Sequence, residues 1–131
     1  MKLEEEVKRF MQDKNKSMIT ANQYQIEAKK TAIFPANKAL EYLSLGLVGE
    51  AGEVANKVKK IIRDKKLDVD VASEIGDVLW YCAMLADYFN VNLGKIMDDN
   101  INKLQSRKNR GVLGGSGDKR SSKPLKPFNT S

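Results

Sequence analysis

An all-helical bundle built around two long central helices is the fold this sequence predicts. Two observations lead there. Apolar residues recur at spacings of three and four through most of the chain, the period of a helix with one buried face. No stretch of useful length alternates apolar and polar residues as a half-buried strand would. At 131 residues with a 41% hydrophobic fraction, the chain suits one globular domain with one core. No apolar run approaches the ~20 residues that cross a bilayer. The N-terminal MKLEEEVKRF is too acidic for a secretory signal. A cytoplasmic location is therefore expected.

The elements follow in order. Residues 1–19 form a charged arm or short helix, with Val7, Phe10 and Met11 as its scattered apolar positions. Thr20 and Gln23 make a capping-box pattern that starts a helix. It runs through Tyr24, Ile26 and Ala28 to about Ala32. Phe34-Pro35 ends it, because a residue before proline disfavours helical backbone. A long helix spans about 37–64 on Leu40, Leu43, Leu47, Val54, Val58 and Ile61. Lys57, Lys59, Lys60 and Arg63 suit its negative C-terminal end. After a polar link, Asp68 or Asp70 caps a helix that reaches about Phe89 on Val71, Ile75, Val78, Cys82 and Leu85. Asn90-Val91-Asn92 is a turn, with Asn92 as cap. A last helix covers Leu93 to about Arg107 through Ile96, Met97, Ile101 and Leu104. The chain thus divides into an arm (1–19), a helical body (20–107) and a Gly/Ser/Lys-rich tail (108–131).

Composition excludes several chemistries. The chain has no histidine and one cysteine, Cys82. Intramolecular Ser-His-Asp and Cys-His catalysis are therefore ruled out. So are zinc sites of His or thiolate ligands and the Glu-x-x-His pairs of di-iron bundles. Cys82 lies in the apolar run VLWYCAMLA and reads as a buried small hydrophobe. Any bound metal must be a hard, oxygen-loving cation such as Mg²⁺ or Mn²⁺. The formal charge of +6 is concentrated in the tail, where 108–131 carry six Lys/Arg and one Asp. The body carries only +1, so nucleic-acid binding by the body is not indicated.

Two segments carry the chemistry, GEAGEV (49–54) and SEIGDV (73–78). Each places two acids at i and i+3, one turn apart on a helix. Glu50 falls in series with Leu43, Leu47 and Val54. Glu74 falls in series with Val71, Val78, Tyr81 and Leu85. Each long helix thus points at least one acid toward its neighbours. Burying unpaired carboxylates costs several kcal/mol, and a cation compensates. Gly49, Gly52 and Gly76 are interleaved with the acids. Glycine in mid-helix costs about 1 kcal/mol relative to alanine, so close backbone approach is expected at these three positions.

This pattern, E-x-x-E, twenty intervening residues, then E-x-x-D, resembles the metal motif of the MazG-like all-α nucleoside triphosphate pyrophosphohydrolases. The segments NQYQIEAKKTAIFP, LGLVGEAGEVANKVKKIIRDK, EIGDVLWYCAMLA and NINKLQSRKNRG resemble successive blocks of that family over about residues 20–120. The resemblance implies cleavage of an NTP or dNTP between the α- and β-phosphates. It implies Glu50, Glu53, Glu74 and Asp77 as metal ligands and Asn100 as a residue near the site. It also implies dimers or dimers of dimers, with GSGDKR (115–120) near the phosphates.

Helical register adds further candidates. Lys57 lies one turn beyond Glu53, Tyr81 one turn beyond Asp77, and Lys103 and Arg107 one turn apart. These, with Asn100, are candidate substrate contacts. Phe34 and Trp80 can stack a base, although Trp80 also suits the core. Glu53, off the main stripe, is the candidate proton acceptor. Leu45, Trp80 and Met84 are expected apolar positions left for a second copy to cover. Two other readings stand beside this one: a phosphoribosyl-ATP pyrophosphohydrolase, and a non-catalytic helical interaction module whose basic tail binds nucleic acid or a partner.

Overall fold

The structure, a computed structural model, describes residues 2–5, 8, 18–67 and 70–114. Residues 2–5 and 8 are helical. Four helices form the body: α1 (Ala21–Lys29), α2 (Ala39–Asp64), α3 (Val71–Tyr88) and α4 (Leu93–Asn109). A single 3₁₀ turn, Ala36–Lys38, leads into α2. Among the described residues there is no strand, as the absent two-residue period requires.

Helix α1 starts on the expected capping box. The Gln23 amide donates to Thr20 Oγ1 at 3.2 Å, and the Thr20 amide donates to Gln23 Oε1 at 2.9 Å. It ends three residues earlier than the pattern suggests. The amides of Lys30, Thr31 and Ala32 turn to carbonyls three residues back, tightening the last turn. The Thr31 hydroxyl also donates to Ala28 O at 2.7 Å. This tight exit carries Ile33 and Phe34 away from the helix axis before Pro35.

Helices α2 and α3 form the main antiparallel pair, since residues near 46–50 of α2 meet residues near 74–81 of α3. Helix α2 ends at Lys65, whose φ of 52° is left-handed. Asp70 holds the N-cap position of α3 but makes no side-chain cap bond. Its carboxylate meets Lys57 Nζ at 3.7 Å instead. Asp68 lies outside the described residues. Asn92 precedes α4 in extended conformation and likewise makes no side-chain cap bond. Helix α4 runs to Asn109, past the expected end at Arg107.

The core lies toward one end. Ala28, Leu43, Ala83, Met84 and Leu93 are its buried members, with Tyr24, Phe34, Trp80, Tyr81 and Leu85 packed against them. Met84, expected on an uncovered face, is 2% exposed. Cys82 is half-buried rather than enclosed, and burial pushes its thiol above the ordinary range. Helix α1 packs on α3 and α4, and among the described residues the backbones of α4 and α2 do not come close together. The outer side of the long helix is consequently bare: Leu45, Val48 and Ile62 are 74%, 72% and 73% exposed. No described helix is long and apolar enough to cross a membrane.

One buried polar side chain ties the core end together. Gln25 Nε2 donates to Ala83 O and Val91 O, and its Oε1 accepts from the Leu93 amide at 2.9 Å. Helix α1 is thereby fixed to both sides of the α3–α4 turn. Gln25→Leu keeps the volume but takes away the side-chain partners of the Val91 carbonyl and the Leu93 amide, while the Ala83 carbonyl keeps its place in the helical ladder of α3. Each unsatisfied buried group costs about 1–3 kcal/mol. Chemical denaturation should show a loss of at least about 2 kcal/mol, and an unchanged midpoint would refute the role.

Candidate active site

The inner face of α2 carries Leu43, Leu47, Glu50 and Val54, all buried or half-buried. The facing side of α3 carries Val71, Glu74, Val78, Tyr81 and Leu85, all half-buried. The helical series predicted these faces, and antiparallel pairing brings their acids level. One carboxylate oxygen from each of Glu50, Glu74 and Asp77 lies within 4.8 Å of the other two. Glu50 and Glu74 are half-buried, and Asp77 is exposed.

Glu53 stands apart from this trio. It is exposed, as a position 60° around the helix from Glu50 should be. Its charge still acts on Glu50. The Glu50 carboxyl is held above the usual carboxylate range, first by partial desolvation, then by the charges of Asp77, Glu74 and Glu53. All four acids therefore share one electrostatic neighbourhood, although only three converge. This donor set is purely oxygen and mutually repelling, which fits a hard divalent cation.

Beside the acids lies an open pocket of about 340 Å³. Thr31, Ile33, Phe34, Tyr42, Glu50, Asp77, Trp80 and Tyr81 line it. The aromatic rings form a continuous wall. Phe34 stacks on Tyr42 with centroids 5.6 Å apart, and Tyr42 meets Tyr81 at 6.5 Å. Trp80 meets Tyr81 edge-on at 5.0 Å. The Trp80 indole N–H donates to Thr31 Oγ1 at 2.8 Å, so Trp80 both packs on the core and faces the pocket. From the other side, the Tyr24 hydroxyl donates to Gly76 O at 3.5 Å. Burial, then the charge of Asp77, raises the Tyr24 phenol.

The remaining candidates are spread out. Tyr81 joins Glu50 and Asp77 in the pocket. Lys57 is half-buried on the inner face of α2 and pairs with Asp70. Asn100 and Lys103 line a separate cleft on α4 with Ile96 and Asp99. Arg107 is buried, 5% exposed. Residues 115–120 lie outside the described residues.

Sequence reasoning missed Tyr24, Thr31, Ile33 and Tyr42. Tyr42 carried a signal, since Tyr42, Gly46 and Glu50 fall at i, i+4 and i+8 on one line of α2. Thr31 and Ile33 carried none, because they sit in the connection after α1.

Glycine placement also departs from expectation. An added Cβ at Gly49, Gly52 or Gly76 would meet nothing within 4 Å. Close approach occurs instead at Gly46, against the Tyr81 ring, and at Gly94, beside Asn22.

The fold and site together define an all-helical protein with three converging carboxylates next to an aromatic pocket. Comparison with known proteins narrows this. The model of the MazG nucleotide pyrophosphohydrolase domain matches residues 38–112, more than half of the chain. The chain is 51% identical over 109 residues to the Gene 37 protein of Mycobacterium phage L5, covering 74% of this chain and 96% of that one. No solved structure matches. The chain belongs to the MazG nucleotide pyrophosphohydrolase family.

Proposed function

We propose that this protein hydrolyses a nucleoside triphosphate, ribo or deoxy, to the monophosphate and pyrophosphate with the help of Mg²⁺ or Mn²⁺. One observation carries the reading: three converging carboxylates, two of which also line a pocket walled by aromatic rings. Acids alone fit many cations, and rings alone fit many apolar ligands. Their juxtaposition fits a molecule with a flat base at one end and phosphates at the other.

In this reading Glu50, Glu74 and Asp77 would hold the cation, and Glu53 would add a fourth carboxylate beside them. A divalent cation bound there supplies positive charge against the phosphates and the attacking water. The aromatic wall orients the base, which fixes the triphosphate relative to the acids. Glu53 accepts a proton from water, since the chain has no histidine to do so. Lys57 stays one turn from Glu53 and can exchange its partner Asp70 for a phosphate.

The bare face of α2 supports a homodimer or homotetramer. Leu45, Val48 and Ile62 leave apolar surface that a second copy would cover. In such an assembly Asn100 and Lys103, which line an open cleft on α4, would serve a pocket shared between chains, whereas Arg107 is buried within its own chain. Leu45→Glu places a charge in that face. Light scattering should show the wild-type oligomer shifting toward monomer, and a wild-type chain already monomeric at micromolar concentration would refute the assembly.

The function itself is tested with a panel of ribo- and deoxynucleoside triphosphates and Mg²⁺. The expected products are pyrophosphate and the matching monophosphate. Release of orthophosphate instead, or no release from any nucleotide, would overturn the reading and favour a non-catalytic helical module.

A further inference from the structure

We infer that Gly46 is a positioning residue, whose missing side chain forms the notch that seats Tyr81 as the shared wall of the acid cluster and the aromatic pocket. This inference rests on the pocket being the base-binding site proposed above.

The argument begins with helix geometry. Tyr42, Gly46 and Glu50 lie on one line of α2, each about one turn from the next. Asp77 and Tyr81 lie on one line of α3 in the same way. Antiparallel pairing sets Tyr81 opposite the gap between Tyr42 and Glu50. A Cβ at position 46 would fall 2.8 Å from Tyr81 Cδ1 and closer still to Cε1 and Cζ. Carbon atoms do not approach so closely, so any side chain at 46 must displace the ring. Glycine weakens a helix interior relative to alanine. Here that weakness has a local reason, which Gly49, Gly52 and Gly76 lack in this structure.

The seated ring faces several groups at once. Its tilted contact with Tyr42 and edge contact with Trp80 join it to the aromatic wall. Its phenol is raised first by burial, then by the neighbouring Tyr42 phenol, and then by the charges of Glu50 and Asp77. Tyr81 thus sits between the groups proposed for the base and those proposed for the phosphates. Moving it shifts the base relative to the acids without removing a carboxylate. Gly46 therefore tunes pocket depth, and through it substrate affinity.

The test is a double-mutant cycle on the full chain with Gly46→Ala, Tyr81→Ala and the pair. Divalent-cation affinity, measured with Mn²⁺, should stay within about twofold in Gly46→Ala. KM for the preferred nucleotide should rise about tenfold, the scale expected when a stacking surface is displaced, with a smaller change in kcat. Adding Gly46→Ala to Tyr81→Ala should then change nothing further. Trp80 is the only tryptophan, and its emission reports the neighbouring ring directly. That emission should shift in Gly46→Ala relative to wild type and be equal in Tyr81→Ala and the double variant.

Wild-type KM and emission in Gly46→Ala would overturn the inference. So would a defect that persists in full in the Tyr81→Ala background, including failure of both Gly46 variants to fold. Failure of Gly46→Ala alone to fold, with the double variant behaving as Tyr81→Ala, would support it. A wild-type protein that hydrolyses nothing would instead overturn the proposed function, and the Trp80 comparison would still decide whether Gly46 seats the ring.

Discussion

Glu50→Gln is expected to cut pyrophosphate release by about a thousandfold and to abolish stabilisation by Mg²⁺ or Mn²⁺. Glu50 belongs to both halves of the site, as a member of the carboxylate trio and as part of the pocket lining. Glutamine keeps its size and removes its charge. Cation charge against a phosphoryl group contributes several kcal/mol to the transition state. Each 1.36 kcal/mol is tenfold in rate, so losing about 4 kcal/mol gives the expected thousandfold. Stability should move differently. Without metal, Glu50 is repelled by Asp77, Glu74 and Glu53. Removing its charge relieves that repulsion, so the metal-free variant should melt no lower than wild type. With metal, wild type should gain about 2.7 kcal/mol at a hundred times Kd, and the variant little. Melting curves with and without Mg²⁺, read beside pyrophosphate release, test both arms. A variant that keeps its turnover would remove Glu50 from the chemistry.

Much of this arrangement was legible in the sequence, for reasons that differ by element. The four helices followed from three-four spacing, because burying one face is what fixes a helix in a small domain. The inward direction of Glu50 and Glu74 followed from the same spacing, since an acid in series with Leu43 or Val78 must share its direction. Caps were less legible. Thr20 caps through its side chain, whereas Asp70 in the same kind of position meets Lys57 across the helix pair. A local pattern does not show a competing partner from another helix. The aromatic pocket was least legible. Phe34 and Trp80 stood out as rings, but Thr31, Ile33 and Tyr42 join them only once α1, α2 and α3 are packed. The glycines make the same point. Gly49, Gly52 and Gly76 drew attention by lying among the acids, yet the close contact falls at Gly46, where the register of α2 against α3 places the Tyr81 ring.

Glu53→Gln is expected to separate turnover from metal binding. The trio of Glu50, Glu74 and Asp77 converges without Glu53, which is exposed on the neighbouring line of α2. A carboxylate that is not needed to close the cation site has a free lone pair for a proton. It also lies near enough for its charge to raise the Glu50 carboxyl. These properties suit a general base better than those of Glu50, whose oxygen faces two other acids. Losing such a base costs about 10²–10⁴ in rate. Mn²⁺ affinity should fall much less, because three ligands remain. Glu53→Asp is informative as well. It keeps the charge but shortens the reach by one methylene, so it should restore metal affinity fully and turnover only partly. Near-normal turnover in Glu53→Gln would sink the assignment. Complete loss of Mn²⁺ binding would make Glu53 a required ligand, and the proton acceptor would then have to be sought elsewhere in the pocket.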